Sequence, residues 1–147
     1  MKKIALTLMA LSGFSCHSNA DNAASFQLEG FKQAYGNVHY MAKVKVVNVE
    51  ISDEKDGSDK HVFSADVLTT LKGESRQHIN YEMFVEHGED ATFNETPVYL
   101  ALCIDDQGKF YWPGTGSQFT PSEEINSWLT QNKDTHANTQ SEAAWCK

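Results

Sequence analysis

The chain has 147 residues, and its 20 acidic side chains outnumber its 12 basic ones to give a formal net charge of −8. A chain of this length suits one domain with a single hydrophobic core. Its acidity disfavours binding to nucleic-acid phosphates and to anionic membrane surfaces, so we expect no nucleic-acid partner.

The first twenty residues have the organisation of a secretory signal peptide. Two lysines precede an apolar run of eight residues, 4–11, and Ser18 and Ala20 provide the small side chains that signal peptidase recognises. The apolar run is too short to cross a bilayer as a helix. We therefore expect cleavage of residues 1–20 after Ala20. The mature chain, with a net charge of −10, is then periplasmic or secreted.

Two alternatives stay open for this segment. The chain could be a lipoprotein that is cut before Cys16 and carries a lipid anchor there, although residues 13–15 are a poor version of the small or aliphatic run that such processing requires. A buried N-terminal helix is the other alternative, and it would leave the paired lysines and the Ser-x-Ala site without a purpose.

The cysteines point to the same compartment. Cys16 is either removed or lipidated, which leaves Cys103 and Cys146 as a pair. In an oxidising compartment we expect them to form a disulfide that docks the C-terminal tail, residues 133–147. The loop of 43 residues that it closes corresponds to a stabilisation of about 4 kcal/mol in the chain-entropy model. Two free thiols are the alternative.

The mature chain opens with a helical pattern and continues with a long hairpin. Apolar side chains recur on one helical face of residues 22–35, before a stop at Gly36. The apolar phase of the first strand, residues 38–52, changes near Val46 and predicts a β-bulge. A polar turn with an Asp-Gly pair leads to the second strand, residues 61–72, which alternates cleanly.

Three more strands and a second helix complete the domain. Residues 77–86 alternate, residues 98–104 are apolar on both faces and should be the most buried strand, and residues 109–112 form a short aromatic strand. Thr120 is the expected N-cap of the closing helix. The sequence thus predicts one mainly β domain over residues 21–132. It is a small five-stranded antiparallel barrel with an N-terminal and a C-terminal helix.

Several of these features together resemble bacterial exported domains of the netrin and tissue-inhibitor-of-metalloproteinases type. They are the bulged first strand, the Leu71-Lys72-Gly73 end of the second, the cysteine in the fourth, and the Gly-rich segment before the last helix. The similarity covers about residues 24–132 and implies an OB-like barrel. Animal inhibitors of this type chelate a protease's zinc with an N-terminal cysteine, whereas the mature chain here starts with Asp21. The resemblance therefore carries over the fold and leaves protease inhibition as an alternative only.

The most site-like stretch is the aromatic and glycine-rich segment 110–119. Aromatic faces beside flexible glycines could stack on a sugar ring, a peptide or the edge of another protein. The tentative binding residues are Phe110, Tyr111, Trp112 and Phe119. Closure of the barrel by the same side chains is the competing interpretation, because aromatic residues most often belong to the core.

No motif in the sequence indicates catalysis, a metal site or a cofactor. The histidines His61, His78 and His87 lack metal-ligand spacing, and residues 86–90 are typical of a solvated acidic loop. The acidic turn 53–59 lacks the terminal glutamate of a calcium loop. Neither a serine elbow nor a free cysteine beside a base is visible, so we name no catalytic residue.

These observations favour a small, exported, non-catalytic binding module of the cell envelope with a protein or glycan partner. A small periplasmic hydrolase is the alternative from a different class, because catalytic groups can be assembled in space from distant positions.

Overall fold

The computed structural model describes residues 18–53, 57–93, 95–132 and 143–146. Two helices and six strands follow one another along the chain: α1 (Ser18–Asn37), β1 (Tyr40–Asp53), β2 (Ser58–Lys72), β3 (His78–Glu86), β4 (Val98–Ile104), β5 (Phe110–Tyr111), β6 (Gln118–Phe119) and α2 (Glu123–Gln131). The predicted signal segment and the predicted tail lie largely outside the described residues.

Five of the strands form a closed ring. β1 pairs with β2 along most of its length, β2 with β3, β3 with β5, β5 with β4, and β4 returns to β1. β6 pairs with Tyr99 and Leu100 of β4, along the same edge of β4 that pairs with β5 further on. The prediction of a mainly β domain with five ring strands and a helix at each end is confirmed.

One strand pair departs from the expected antiparallel arrangement. β3 and β5 run parallel, with Tyr81 opposite Phe110 and Glu82 opposite Tyr111, while the other ring pairs are antiparallel. The reason is geometric, since directions cannot alternate all the way round a ring with an odd number of members. A closed five-stranded ring must contain at least one parallel pair.

The predicted bulge in β1 is present. Val46 lies opposite Ala65 and Asn48 opposite Ser64, so Val47 has no register partner on β2. The pairing of β1 with β4 ends at Val44, two residues before Val46. The far halves of β1 and β2 therefore extend beyond the closed part of the ring, which becomes important for the site below.

The apolar side chains form two clusters, one inside the ring and one between the ring and the helices. β4 contributes to both. Leu100 and Leu102 point into the ring, whereas Tyr99, Ala101 and Cys103 face the helices, and all five are buried. This double burial explains why the strand is apolar on both faces, and it confirms β4 as the most buried strand.

The helices pack on the outer cluster. Phe31 of α1 is fully buried and makes edge-to-face contacts with Tyr99, Phe119 and Trp128, at centroid distances of 5.3–5.8 Å. Within the described ranges, neither helix combines the length and the apolar character needed to cross a bilayer.

The start of α2 differs from the prediction of Thr120 as the N-cap. Ser122 is the cap, because its backbone is extended and its Oγ accepts a hydrogen bond from the Ile125 backbone N–H at 3.3 Å. Pro121 precedes the cap and lies outside the helix.

The predicted disulfide is formed. Cys103 of β4 is bonded to Cys146, and their Cα atoms are 5.3 Å apart. The neighbouring Trp145 backbone N–H donates to the Asn37 carbonyl at 3.1 Å. Residues 143–146 are thus held against the end of α1 and the outer face of β4.

Gly73 offers a test of how closely the β2–β3 turn packs on β1. A Cβ at this position would lie 2.9 Å from Tyr40 Cδ2 and 3.1 Å from the His39 carbonyl oxygen, whereas a Cβ at Gly108 would meet nothing within 4 Å. Both glycines have a positive φ, of 89° and 79° respectively, so the conformational cost of alanine is shared. We expect Gly73→Ala to lower the free energy of unfolding in urea by about 1–3 kcal/mol more than Gly108→Ala does. Equal losses would contradict the close packing.

Candidate functional site

A cavity of about 450 Å³ lies at one mouth of the ring, beneath the connection between β3 and β4. We call it the mouth cavity. Its strand-borne wall is apolar and consists of Val46, Phe63, Tyr81, Met83, Val85 and Val98. The remaining lining comes from His61, from Gln118, and from residues 89–93 of the connection.

The register of β2 and β3 explains why this wall forms. On β2 the side chains of Asp59, His61 and Phe63 are buried and alternate with half-buried neighbours. Across the strand pairing they lie opposite Val85, Met83 and Tyr81 of β3, respectively. Alternate residues of a strand share a face, so both strands present this set to the inside. Phe63 and Tyr81 stack with their ring centroids 5.1 Å apart.

His61 is the unusual member of the lining. Its side chain is buried, with a residue exposure of 2%, and its Nε2 finds no hydrogen-bond partner among the described residues. A buried polar atom without a partner costs about 1–3 kcal/mol. The wall of the mouth cavity therefore includes one imidazole whose buried Nε2 has no hydrogen-bond partner among the described residues, and its other residues on β1 to β4 are aliphatic or aromatic.

The connection over the cavity, of which residues 87–93 and 95–97 are described, contacts the strands near both of its ends. We call it the roof loop. At its start, the Gly88 backbone N–H donates to Asp59 Oδ2 and His87 Nδ1 lies against Asp59 Oδ1, both at 2.8 Å. Near its end, Glu95 Oε2 pairs with Lys45 Nζ of β1 at 3.0 Å. These contacts position Ala91 and Phe93 of the loop over the apolar wall.

Asp59 fixes the electrostatics beneath the roof loop. The residue is buried, and the hydrogen bond from the Gly88 N–H, followed by that from His87, lowers the pKa of its carboxyl group. It is therefore a carboxylate at neutral pH. Glu89 and Asp90 add two exposed acids to the lining, while the described lining contains neither lysine nor arginine.

The four aromatic residues predicted for binding do not share one surface. Phe110 is buried inside the ring, 4.7 Å from Tyr40 between centroids, and Phe119 is buried on the opposite side, beneath α1. Tyr111 and Trp112 are half-buried, the first against the outer cluster and the second against the inner one. Ligand binding by these two stays a prediction. Gln118 is the member of segment 110–119 that lines the mouth cavity.

One group of potential metal ligands occurs among the described residues. Ligand atoms of His39, Cys103 and Cys146 lie within 4.8 Å of one another. Both sulfurs are committed to the disulfide, and His39 Nδ1 accepts the Ile104 backbone N–H at 3.0 Å. In this structure His39, Cys103 and Cys146 therefore have structural roles.

Sequence reasoning missed the main members of the site. His61 extends the apolar phase of Phe63 and Ala65 by one step, so the strand pattern could have placed it inside. The sequence pattern predicts a polar turn at Asp59 and a solvated loop at residues 86–90. No local signal reveals that Asp59 meets Gly88, which is 29 positions away.

The chain matches no protein-family model, and no curated protein matches it either.

The anchoring role of Asp59 can be tested by Asp59→Asn, with Asp66→Asn as the matched control. Asp66 also pairs with a histidine, His78, at 3.0 Å, but both side chains are at least half exposed. Solvent-exposed ion pairs contribute little to the free energy of unfolding. We expect Asp59→Asn to lower the urea midpoint at pH 7 clearly more than Asp66→Asn does.

The stability difference between the parent and Asp59→Asn should depend on pH, and the lowered pKa of Asp59 determines the direction of this dependence. Because the folded-state pKa of Asp59 is lowered, its carboxylate stabilises the fold above the unfolded pKa of about 3.9. That contribution is lost as pH falls through the folded-state value, so the gap between the parent and Asp59→Asn should narrow in acid. A gap that persists unchanged below pH 3 would show that another property of the side chain is responsible.

Proposed function

We propose that this chain is an exported, non-catalytic binding module of the cell envelope and that its ligand site is the mouth cavity. The observation that carries the proposal is the combination found there: an apolar wall, one buried imidazole nitrogen without a hydrogen-bond partner among the described residues, and a roof loop anchored at its start by buried Asp59. Ligand sites are typically concave, mostly apolar and largely preformed, with few polar groups and volumes of about 300–1,000 Å³.

The contact between Asp59 and His87 has a structural use, which argues against acid–base chemistry by this pair. Asp59 and His87, an acid and a base in contact, hold the roof loop in place and lie beside the start of β2. Asp59 Oδ2 accepts a hydrogen bond from the Gly88 backbone N–H, and Asp59 Oδ1 is hydrogen-bonded to His87 Nδ1. General acid–base catalysis requires a group within hydrogen-bond reach of the reacting atoms, and this pair is engaged in shaping the cavity.

Export and the OB-like description belong to the same proposal. The disulfide is of the kind that persists in oxidising compartments, and it agrees with the signal-peptide pattern of residues 1–20. The ring order, with β1 paired to both β2 and β4, supports the resemblance to OB-like barrels. Such folds bind ligands on the face of strands 2 and 3 and on adjoining loops, and the mouth cavity uses the same two strands through their inward-facing side chains, beneath the connection between β3 and β4.

A cavity-filling variant tests the ligand site. The neutral probe 1-hexanol should shift the methyl NMR signals of the cavity wall in the parent chain. Ala91→Trp places a large side chain in the roof loop and should weaken hexanol binding about tenfold or more, because it occupies the same space. Ala23→Trp, at an exposed position on α1, is the control and should bind as the parent does. Failure of the parent to bind, or equal binding by both variants, would contradict the assignment.

Export and the disulfide can be tested by one mass measurement. The chain recovered from an envelope extract of the producing cell should have the mass of residues 21–147 less two hydrogens, since cleavage follows Ala20 and one disulfide forms. Reduction should restore the two hydrogens. Finding the full 147-residue chain with all thiols free would contradict the proposal, and a lipid mass on Cys16 would replace it with the lipoprotein alternative.

A further inference from the structure

We propose that the mouth cavity selects a primary ammonium carried on a short apolar stem. This rests on the proposed function, since it specifies the ligand of the same site. The charge and the hydrogen-bonding capacity of the lining lead to this ligand class.

The charges of the lining are of one sign. Glu89 and Asp90 are exposed acids that line the cavity, and Asp59 lies buried behind His61 on the same face of β2. Lys45 of β1, the lysine that contacts the roof loop, is paired with Glu95. A cleft lined by one sign of charge attracts the opposite ion and repels its own. An anionic ligand is therefore disfavoured, and a cation is favoured.

The charged side chains of the lining are acceptors only, whereas Tyr81, Thr92 and Gln118 can both donate and accept. Glu89 and Asp90 can only accept when ionised. The Nε2 of buried His61, which has no hydrogen-bond partner among the described residues, accepts in one of the two neutral tautomers. A primary ammonium carries three donors and no acceptor. It therefore matches the acceptors of Glu89, Asp90 and His61 better than a hydroxyl group, which carries a single donor, or a carboxylate, which carries none.

The apolar wall of the cavity favours a ligand whose ammonium is carried on a short alkyl stem. Val46, Met83 and Val98 offer aliphatic contacts, and the stacked rings of Phe63 and Tyr81 close the inner side. A short alkyl chain buried against this wall would leave its ammonium free to meet the acids. The same chemistry occurs in a free alkylamine and in a lysine side chain of a protein partner.

Three six-carbon probes test the proposal on the mature chain: hexylamine, 1-hexanol and hexanoate, titrated at pH 7 and followed by the methyl NMR signals. We expect hexylamine to bind about tenfold more tightly than hexanol, because its hydrogen bonds are charge-assisted. Hexanoate should bind more weakly than both. The advantage of hexylamine should shrink in high salt, since exposed charges are screened. Nα-acetyl-lysine methylamide, compared with hexylamine, distinguishes a protein side chain from a free amine as the source.

Two charge-matched double variants locate the effect. Glu89→Gln with Asp90→Asn should abolish the preference for hexylamine and leave hexanol binding intact. Asp106→Asn with Glu123→Gln removes the same charge from exposed positions elsewhere and should preserve the preference. If hexanol or hexanoate binds as tightly as hexylamine, the ammonium proposal is overturned while the mouth cavity remains the ligand site. If none of the three probes binds, the proposed function fails as well.

Discussion

The structure depends on β1 being paired along both of its edges. Its first half, residues 40–44, joins β4 on one side and β2 on the other, which closes the sheet into a ring and leaves no edge there. The unpaired Val47 then interrupts the register with β2. Beyond it, the β4 pairing has ended, so the long hairpin continues as an open extension. The transition between closed ring and open hairpin is what creates the mouth cavity.

The roof loop follows from the same transition. β3 pairs with β5 only at Tyr81 and Glu82, so the end of β3 also extends beyond the closed part. The connection to β4 must cross the opening between these extensions, and it does so under two constraints. Buried Asp59 anchors its start, and the exposed Lys45–Glu95 pair makes a contact near its end. The carboxylate of Asp59 is buried and hydrogen-bonded through both oxygens, whereas Nε2 of His61, two residues on, has no hydrogen-bond partner among the described residues. The proposal of a ligand site rests in part on that contrast.

The strand pattern predicted much of the fold because alternation is a local signal. Residues 61–72, 77–86 and 98–104 were placed within a few positions of β2, β3 and β4, and the change of phase at Val46 correctly located the bulge. The cysteine pair also followed from counting. Other features have no local cause. The parallel β3–β5 pair results from closing an odd ring, and the choice of Ser122 over Thr120 as N-cap depends on where the chain leaves β6. The sides taken by Phe110 and Phe119 are set by tertiary packing, which places Phe110 inside the ring and Phe119 beneath α1, and their aromatic character alone does not predict this.

The central claim is that the inside face of the hairpin, beneath the roof loop, receives an apolar group. Intermolecular nuclear Overhauser effects between hexylamine and the methyl groups of the methyl-labelled mature chain measure this directly. The account predicts contacts from the hexyl chain to the methyl groups of Val46, Met83 and Val98, which line the mouth cavity. Contacts confined to exposed methyl groups such as those of Val47 and Leu68, with none to the cavity wall, would contradict it.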